Sequence, residues 1–121
     1  MARPFRQKNP ELHRVVVALR RAADAHDAAI WGAVADRLER PRHGARPLNV
    51  GHLERIAEAE EWIVVPGKLL ADGPLSKPIT VGAAAYSGGA REKVHAAGGA
   101  ALSILELVHA RPDGAGVRLL G

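Results

Sequence analysis

Trp62-Ile63-Val64-Val65-Pro66-Gly67-Lys68-Leu69-Leu70 is the stretch on which the fold turns. Four consecutive large apolar residues, Trp62 to Val65, read as a short buried strand. Pro66-Gly67 is a type II turn signal and is expected to stop it. Downstream, Leu69 and Leu70 lead to a second turn at Asp72-Gly73-Pro74. Ile79 to Tyr86 reads as another strand, small and apolar in its second half. Ser87 is placed to cap a helix over about 89–97, closed by Gly98-Gly99. Ala101-Leu102 makes a brief strand. Ser103 and Glu106 have the spacing of a capping box, which starts a helix over 104–111 ending near Pro112. Asp113-Gly114 then turns the chain into a last strand, Val117 to Leu120. The order from residue 61 onward is β-β-α-β-α-β.

Upstream of this stretch the period is helical. Asn9-Pro10-Glu11 is a helix start, with a capping Asn, Pro at the first helical position and an acid in the first turn. Leu12, Val15, Val16, Leu19, Ala22 and Ala23 recur at helical spacing to about residue 25. A second helix starts from Asp27, buries Ile30, Trp31, Val34 and Leu38, and stops at Arg40 before Pro41. Asn49 caps a third, short helix carrying Val50, Leu53 and Ile56. The fold class is therefore mixed α/β: a basic arm over 1–8, then one globular domain over 9–121. Its helical part spans 9–60 and includes a basic loop over 40–48; its mixed α/β part spans 61–121.

Composition narrows the function classes. The chain has 121 residues, 47% of them hydrophobic, and only 3% aromatic, so Val, Leu, Ile and Ala must build the core. It has no Cys, which excludes disulfides, a thiol nucleophile and thiolate metal sites. No apolar run approaches the ~18 residues that cross a bilayer. The first ten residues hold no apolar stretch behind their charges, so no signal peptide is expected and the cytoplasm is the default compartment. Lys and Arg number 17 against 13 acids, for a formal charge of +4. Residues 1–55 hold 11 of these cations against 6 acids. Two segments contain no acid at all: Arg3, Arg6 and Lys8 in the arm, and Arg40, Arg42, His43 and Arg46 in the loop. Such clusters suit a polyanionic partner, although solvated surface charge accounts for the same composition.

Catalytic signatures are weak. The six His, at 13, 26, 43, 52, 95 and 109, include no pair three or four apart that would share a helix face around a metal. Ala85-Tyr86-Ser87-Gly88-Gly89 resembles a nucleophile elbow only loosely, because the first Gly is missing, and a helix-capping Ser87 explains the same residues. Gly67-Lys68 lacks the spacer and the Ser/Thr of a phosphate loop. Glu58, Glu60 and Glu61 fit a solvated helix end better than a general acid/base pair.

Taken in order, the residues resemble the eighteen-e family of archaeal and eukaryotic large-subunit ribosomal proteins, relatives of bacterial large-subunit protein fifteen. The likeness begins at Asn9-Pro10-Glu11-Leu12. It runs through Trp31, Val34-Ala35 and Arg37-Leu38-Glu39-Arg40-Pro41-Arg42 to Asn49-Val50. Its densest part is Val64-Val65-Pro66-Gly67-Lys68-Leu69-Leu70, followed by Gly73, Ile79-Thr80-Val81, Ser87 and Ala90, Ala97-Gly98-Gly99, Pro112, Gly116 and Val117-Arg118. The length is that of an archaeal member. His52 stands where the family is expected to carry Arg, and Ala45-Arg46-Pro47 departs from the usual loop. The resemblance implies a structural protein of the large subunit that binds its ribosomal RNA. It also implies a C-terminal half of small, irregular ββα-type layers, no catalysis, no cofactor and no small-molecule substrate. Neighbouring ribosomal proteins are the other implied partners.

RNA helices are read by shape, phosphate and 2′-hydroxyl contacts. The expected contacts are Arg3, Arg6 and Lys8 from the arm, Arg40, Arg42, His43 and Arg46 from the loop, Arg14 and Arg21 from one outer face of the first helix, and Lys68 from the Pro-Gly turn. Competing readings are a basic nucleic-acid-binding module outside the ribosome and a small α/β enzyme using Ser87.

Overall fold

The computed structural model describes residues 10–40 and 46–121. Ten elements follow one another: α1 (Pro10–Ala25), α2 (Ala29–Glu39), β1 (Leu48–Asn49), α3 (Val50–Ile56), β2 (Trp62–Leu70), β3 (Thr80–Tyr86), α4 (Ala90–Ala96), β4 (Ala100–Ser103), α5 (Ile104–Ala110) and β5 (Val117–Leu119). The mixed α/β class and the β-β-α-β-α-β order hold. The sheet is more regular than irregular ββα-type layers: it has five strands in the order β1-β2-β3-β4, with β5 also on β2, and every pairing is parallel. Two-residue β1, whose Leu48 falls in the stretch read as loop and whose Asn49 was read as a helix cap, is the strand the sequence did not announce.

Parallel strands must be covered on both faces, and β2 shows how. Ile63, Val65 and Leu69 pack with Val50 and Leu53 of α3 and with Ala90 and Val94 of α4. Val64 points to the other face, among Trp31, Val34 and Leu38 of α2 and Ile104 and Leu107 of α5. Val16 and Leu19 of α1 close that second cluster from outside. The helical half is thus divided between the two faces of the same sheet: α1 and α2 join α5 on one, and α3 joins α4 on the other. Trp31 is fully buried, and its indole N–H donates to the Pro112 carbonyl at 2.8 Å. On β3, Gly82 lets α5 approach closely: a Cβ there would lie 2.8 Å from the Leu107 Cβ.

Pro66-Gly67 does not end the strand. Val65 pairs with Ala83 and Lys68 with Ala85, so three steps on β2 match two on β3, which is a bulge of one residue. Along the opposite edge β5 pairs with Trp62 to Val64 and β1 with Leu69 and Leu70. Pro66, which has no N–H to donate, falls in the gap between them, where a sheet tolerates proline. Other local expectations also change. The Asn9 cap lies outside the described residues. Asp27 takes the left-handed conformation at φ 50°, and Ala28 is the N-cap of α2. Asn49 does precede α3, but its side chain makes no capping bond. Ser87 does not cap α4, whose N-cap is Gly89; its Oγ instead accepts from the Ala71 N–H at 3.0 Å. The Ser103–Glu106 capping box is present in full.

The link from β2 to β3 crosses between parallel strands without a helix and is held by side chains. Lys77 Nζ donates to the Ala57 carbonyl at 2.7 Å, and Lys93 Nζ to the carbonyls of Ala71 and Gly73 at 2.6 and 2.7 Å. The Ser76 N–H and hydroxyl both donate to Glu54 at 2.8 Å, which holds that carboxyl below its usual range. The free edge of β4 is masked by α4: Arg91 donates to the Ala101 carbonyl, and His95 Nε2 accepts from the Ala101 N–H at 3.2 Å. Such cover keeps an edge from pairing with other chains.

Candidate nucleic-acid interface

The described cations divide by what their charge is spent on. Arg20 bridges α1 to Asp36 and Glu39 of α2. Arg37 donates to the Gly121 carbonyl. Arg111 lies 4.2 Å over the Trp62 ring, and Arg91 4.5 Å over that of Tyr86. Arg118 pairs with Glu61 at 2.8 Å. Arg55 meets His52 Nδ1 at 3.2 Å. Lys77 and Lys93 are committed to the β2–β3 link. None of these was singled out from the sequence as an RNA contact.

Arg21, Arg40, Arg46 and Lys68 are different. All four are exposed and have no hydrogen bond, ion pair or ring contact from their side chains to other described residues. All four were singled out from the sequence. Arg14, also singled out, pairs with Glu11 at 3.0 Å. That pair is 73% and 80% exposed, so it costs little to exchange Glu11 for another anion. Arg3, Arg6, Lys8, Arg42 and His43 lie outside the described residues.

Three of the free cations sit on segments that converge. Arg40 is the C-cap of α2. One turn earlier, Arg37 holds the Gly121 carbonyl. A Cβ at Gly121 would stand 3.6 Å from the Arg46 carbonyl oxygen and 3.9 Å from Pro66 Cδ. Arg46 leads directly into β1, which runs beside Leu69 and Leu70, the residues that follow Lys68. The last turn of α2, the approach to β1 and the bulge of β2 therefore form one end of the molecule. Lys68 is the one exposed residue of its strand. The bulge, rather than a turn, aims it outward. Arg14 and Arg21 stand two turns apart on α1, which packs on α2 and α5 rather than with this end.

Catalytic alternatives gain nothing from the geometry. No His or acid hydrogen-bonds to Ser87 among the described residues. No three metal-ligating side chains gather among them either, and none of their helices is long and apolar enough to cross a membrane.

The architecture defines a three-layer parallel α/β protein with unspent positive charge gathered at one end of its sheet. Residues 39–102 match the family described as ribosomal proteins 50S-L15 and 50S-L18e together with their 60S counterpart. The chain is 45% identical to the large ribosomal subunit protein eL18 of Pyrobaculum aerophilum, over 97% of this chain and 96% of the relative. It is 39% identical to that of Methanopyrus kandleri, over 97% and 96%. To that of Archaeoglobus fulgidus it is 38% identical, over 96% and 99%. The chain belongs to this family of ribosomal proteins.

Proposed function

We propose that the protein is a structural constituent of the large ribosomal subunit and binds large-subunit ribosomal RNA through its basic arm and basic loop. In this reading it is not an enzyme, takes no cofactor and acts on the ribosome in the cytoplasm, with neighbouring large-subunit proteins as further partners. The observation that carries the reading is the division of the cations. Charge needed by the fold is already paired internally. Arg21, Arg40, Arg46 and Lys68 are left over, and three of them lie on segments that meet at one end. Arg guanidinium groups there suit the bidentate geometry of phosphate oxygens, and Lys68 adds a point charge. Arg3, Arg6, Lys8, Arg42 and His43, which lie outside the described residues, are the further RNA contacts in this reading. Arg14 adds a contact from α1 by releasing Glu11.

Sedimentation of a cell lysate through sucrose at low and moderate salt tests the reading. The protein is expected to travel with the large subunit under both conditions. Recovery at the top of the gradient under both would sink the ribosomal assignment and favour a nucleic-acid module outside the ribosome.

A further inference from the structure

A cleft of about 580 Å³ opens beside the basic loop and is not used by the contacts above. Pro47, Asn49, His52, Arg55, Asp72 and Pro74 line it, together with the backbone of Gly51 and Gly73. A Cβ at Gly73, whose φ is +93°, would lie 2.7 Å from the Gly51 Cα, and one at Gly51 3.1 Å from the Gly73 Cα, so glycine at these positions lets the two backbones meet.

The turn that carries Asp72 is fixed from every side. The Gly51 N–H donates to the Asp72 carbonyl at 3.0 Å. Lys93 holds the carbonyls before and after it, at Ala71 and Gly73, and Ser87 holds the Ala71 N–H. Yet the Asp72 carboxylate on this rigid turn is exposed and has no partner among the described residues. The Asn49 side chain, in the same lining, leaves the start of α3 uncapped, and its amide has no partner among the described residues.

The charge inside the cleft argues against a phosphate. Arg55 is offset by Glu54 and Asp72, which share the lining. A carboxylate and an amide set between proline and imidazole surfaces instead match a planar ring that offers two adjacent donors and an acceptor. Single-stranded bases are recognised in this way, by stacking and by hydrogen bonds to their Watson–Crick edge.

Resting on the RNA-binding reading, we propose that this cleft seats one unstacked guanine of the bound RNA. Its N1–H and N2–H donate to the Asp72 carboxylate, and its O6 accepts from the Asn49 amide. Arg46 immediately precedes Pro47 at the cleft's rim, so a phosphate held by Arg46 delivers its own base to the opening. Adenine would turn the lone pair of its N1 toward the carboxylate and is rejected.

The full chain is titrated with a short oligouridine RNA carrying one central guanosine and with the same RNA carrying adenosine. Binding of a large-subunit ribosomal RNA fragment is measured alongside. The guanosine RNA is expected to bind about fivefold or more tightly than the adenosine RNA. In Asp72→Asn that ratio is expected to fall to about one, while the adenosine RNA binds no more weakly than before, because a negative charge has been removed. Equal affinities in the unaltered protein, a ratio that survives Asp72→Asn, or failure of both short RNAs while the ribosomal fragment binds would each overturn the subsite. Failure of the ribosomal fragment itself overturns the RNA-binding reading, and the subsite with it.

Discussion

At the scale of single residues, two lysines, Lys68 on β2 and Lys93 on α4, do opposite work. Lys68 is exposed at the bulge with no partner among the described residues, whereas Lys93 ends between two carbonyl oxygens of the β2–β3 link. Lys68→Ala is therefore expected to leave the stability within ~0.5 kcal/mol of the starting protein. It should weaken ribosomal RNA binding and flatten the log–log salt slope by about one contact's worth, 0.7–0.9. Lys93→Ala should do the reverse, costing about 1–3 kcal/mol because the carbonyls of Ala71 and Gly73 lose their donor. Urea denaturation and salt-dependent binding on the same two variants check this; a destabilised Lys68 variant with an unchanged salt slope would contradict it. Tyr86, the single tyrosine, offers a second readout. Its hydroxyl donates toward the Val81 and Leu102 carbonyls, and burial pushes its phenol up to about 12, with Arg91 pulling the other way. The folded value lies above the ordinary value of about 10. The neutral phenol thus stabilises the fold fully below pH ~10, and that contribution is lost as the pH rises toward 12. Tyrosinate absorbance should titrate near 12 in the native protein and near 10 in denaturant. The fall in urea midpoint across that window should shrink in Tyr86→Phe. A native midpoint near 10 would show that the ring is not buried as described.

At the scale of elements, what was legible in the sequence is what a few adjacent residues decide. The Ser103–Glu106 box needs only four positions, and both of its reciprocal bonds form, at 3.1 and 2.8 Å. Ser103→Ala should cost roughly 0.5–2 kcal/mol. Ser87 satisfies the same local rule, yet Gly89 takes the cap in the left-handed conformation and frees the hydroxyl for Ala71, sixteen residues back. That partner belongs to a different segment and leaves no trace in the local pattern. Pro66-Gly67 is illegible for a similar reason. Its meaning depends on β5 and β1 sharing one edge of β2 and leaving a gap between them, and both strands are too short to carry a period of their own. Lys68 was singled out as a turn residue; it stands exposed at a bulge within a continuous strand. The cleft residues Asn49 and Asp72 carry no spacing signal at all, since the turn and the helix start meet through long-range contacts such as Gly51–Gly73 and the Gly51–Asp72 hydrogen bond. Packing of α5 on the sheet also hangs on a contact invisible locally. Gly82→Ala places a methyl 2.8 Å from the Leu107 Cβ, a backbone-anchored atom that cannot swing aside. Overpacking of this kind should cost about 1–3 kcal/mol, measured as a lowered urea midpoint with an unchanged m-value.

At the scale of the whole molecule, the parallel sheet and the distribution of charge have one consequence in common. The helix-free crossover consumes Lys77 and Lys93, the edge of β4 consumes Arg91, and the α1–α2 contact consumes Arg20. The mixed α/β half, residues 61–121 with 6 Lys/Arg against 5 acids, is close to neutral, and Lys68 is the one cation it leaves unspent among its described residues. In the proposed reading the RNA-binding charge is carried by the approach to β1, the helical part and the arm: Arg21, Arg40, Arg46 and Lys68 together with Arg3, Arg6, Lys8 and Arg42. If each neutralises a phosphate, the log–log slope of affinity against salt is about −6 to −7, and affinity falls roughly a thousandfold or more between 50 and 200 mM salt. Replacing Arg3, Arg6 and Lys8 together by Ala removes charge without touching a described contact of the fold. The slope should become shallower by about 2–3, with the urea midpoint unchanged. An unaltered slope would place the arm away from phosphate and return the whole electrostatic footprint to the end where α2, β1 and the bulge of β2 converge.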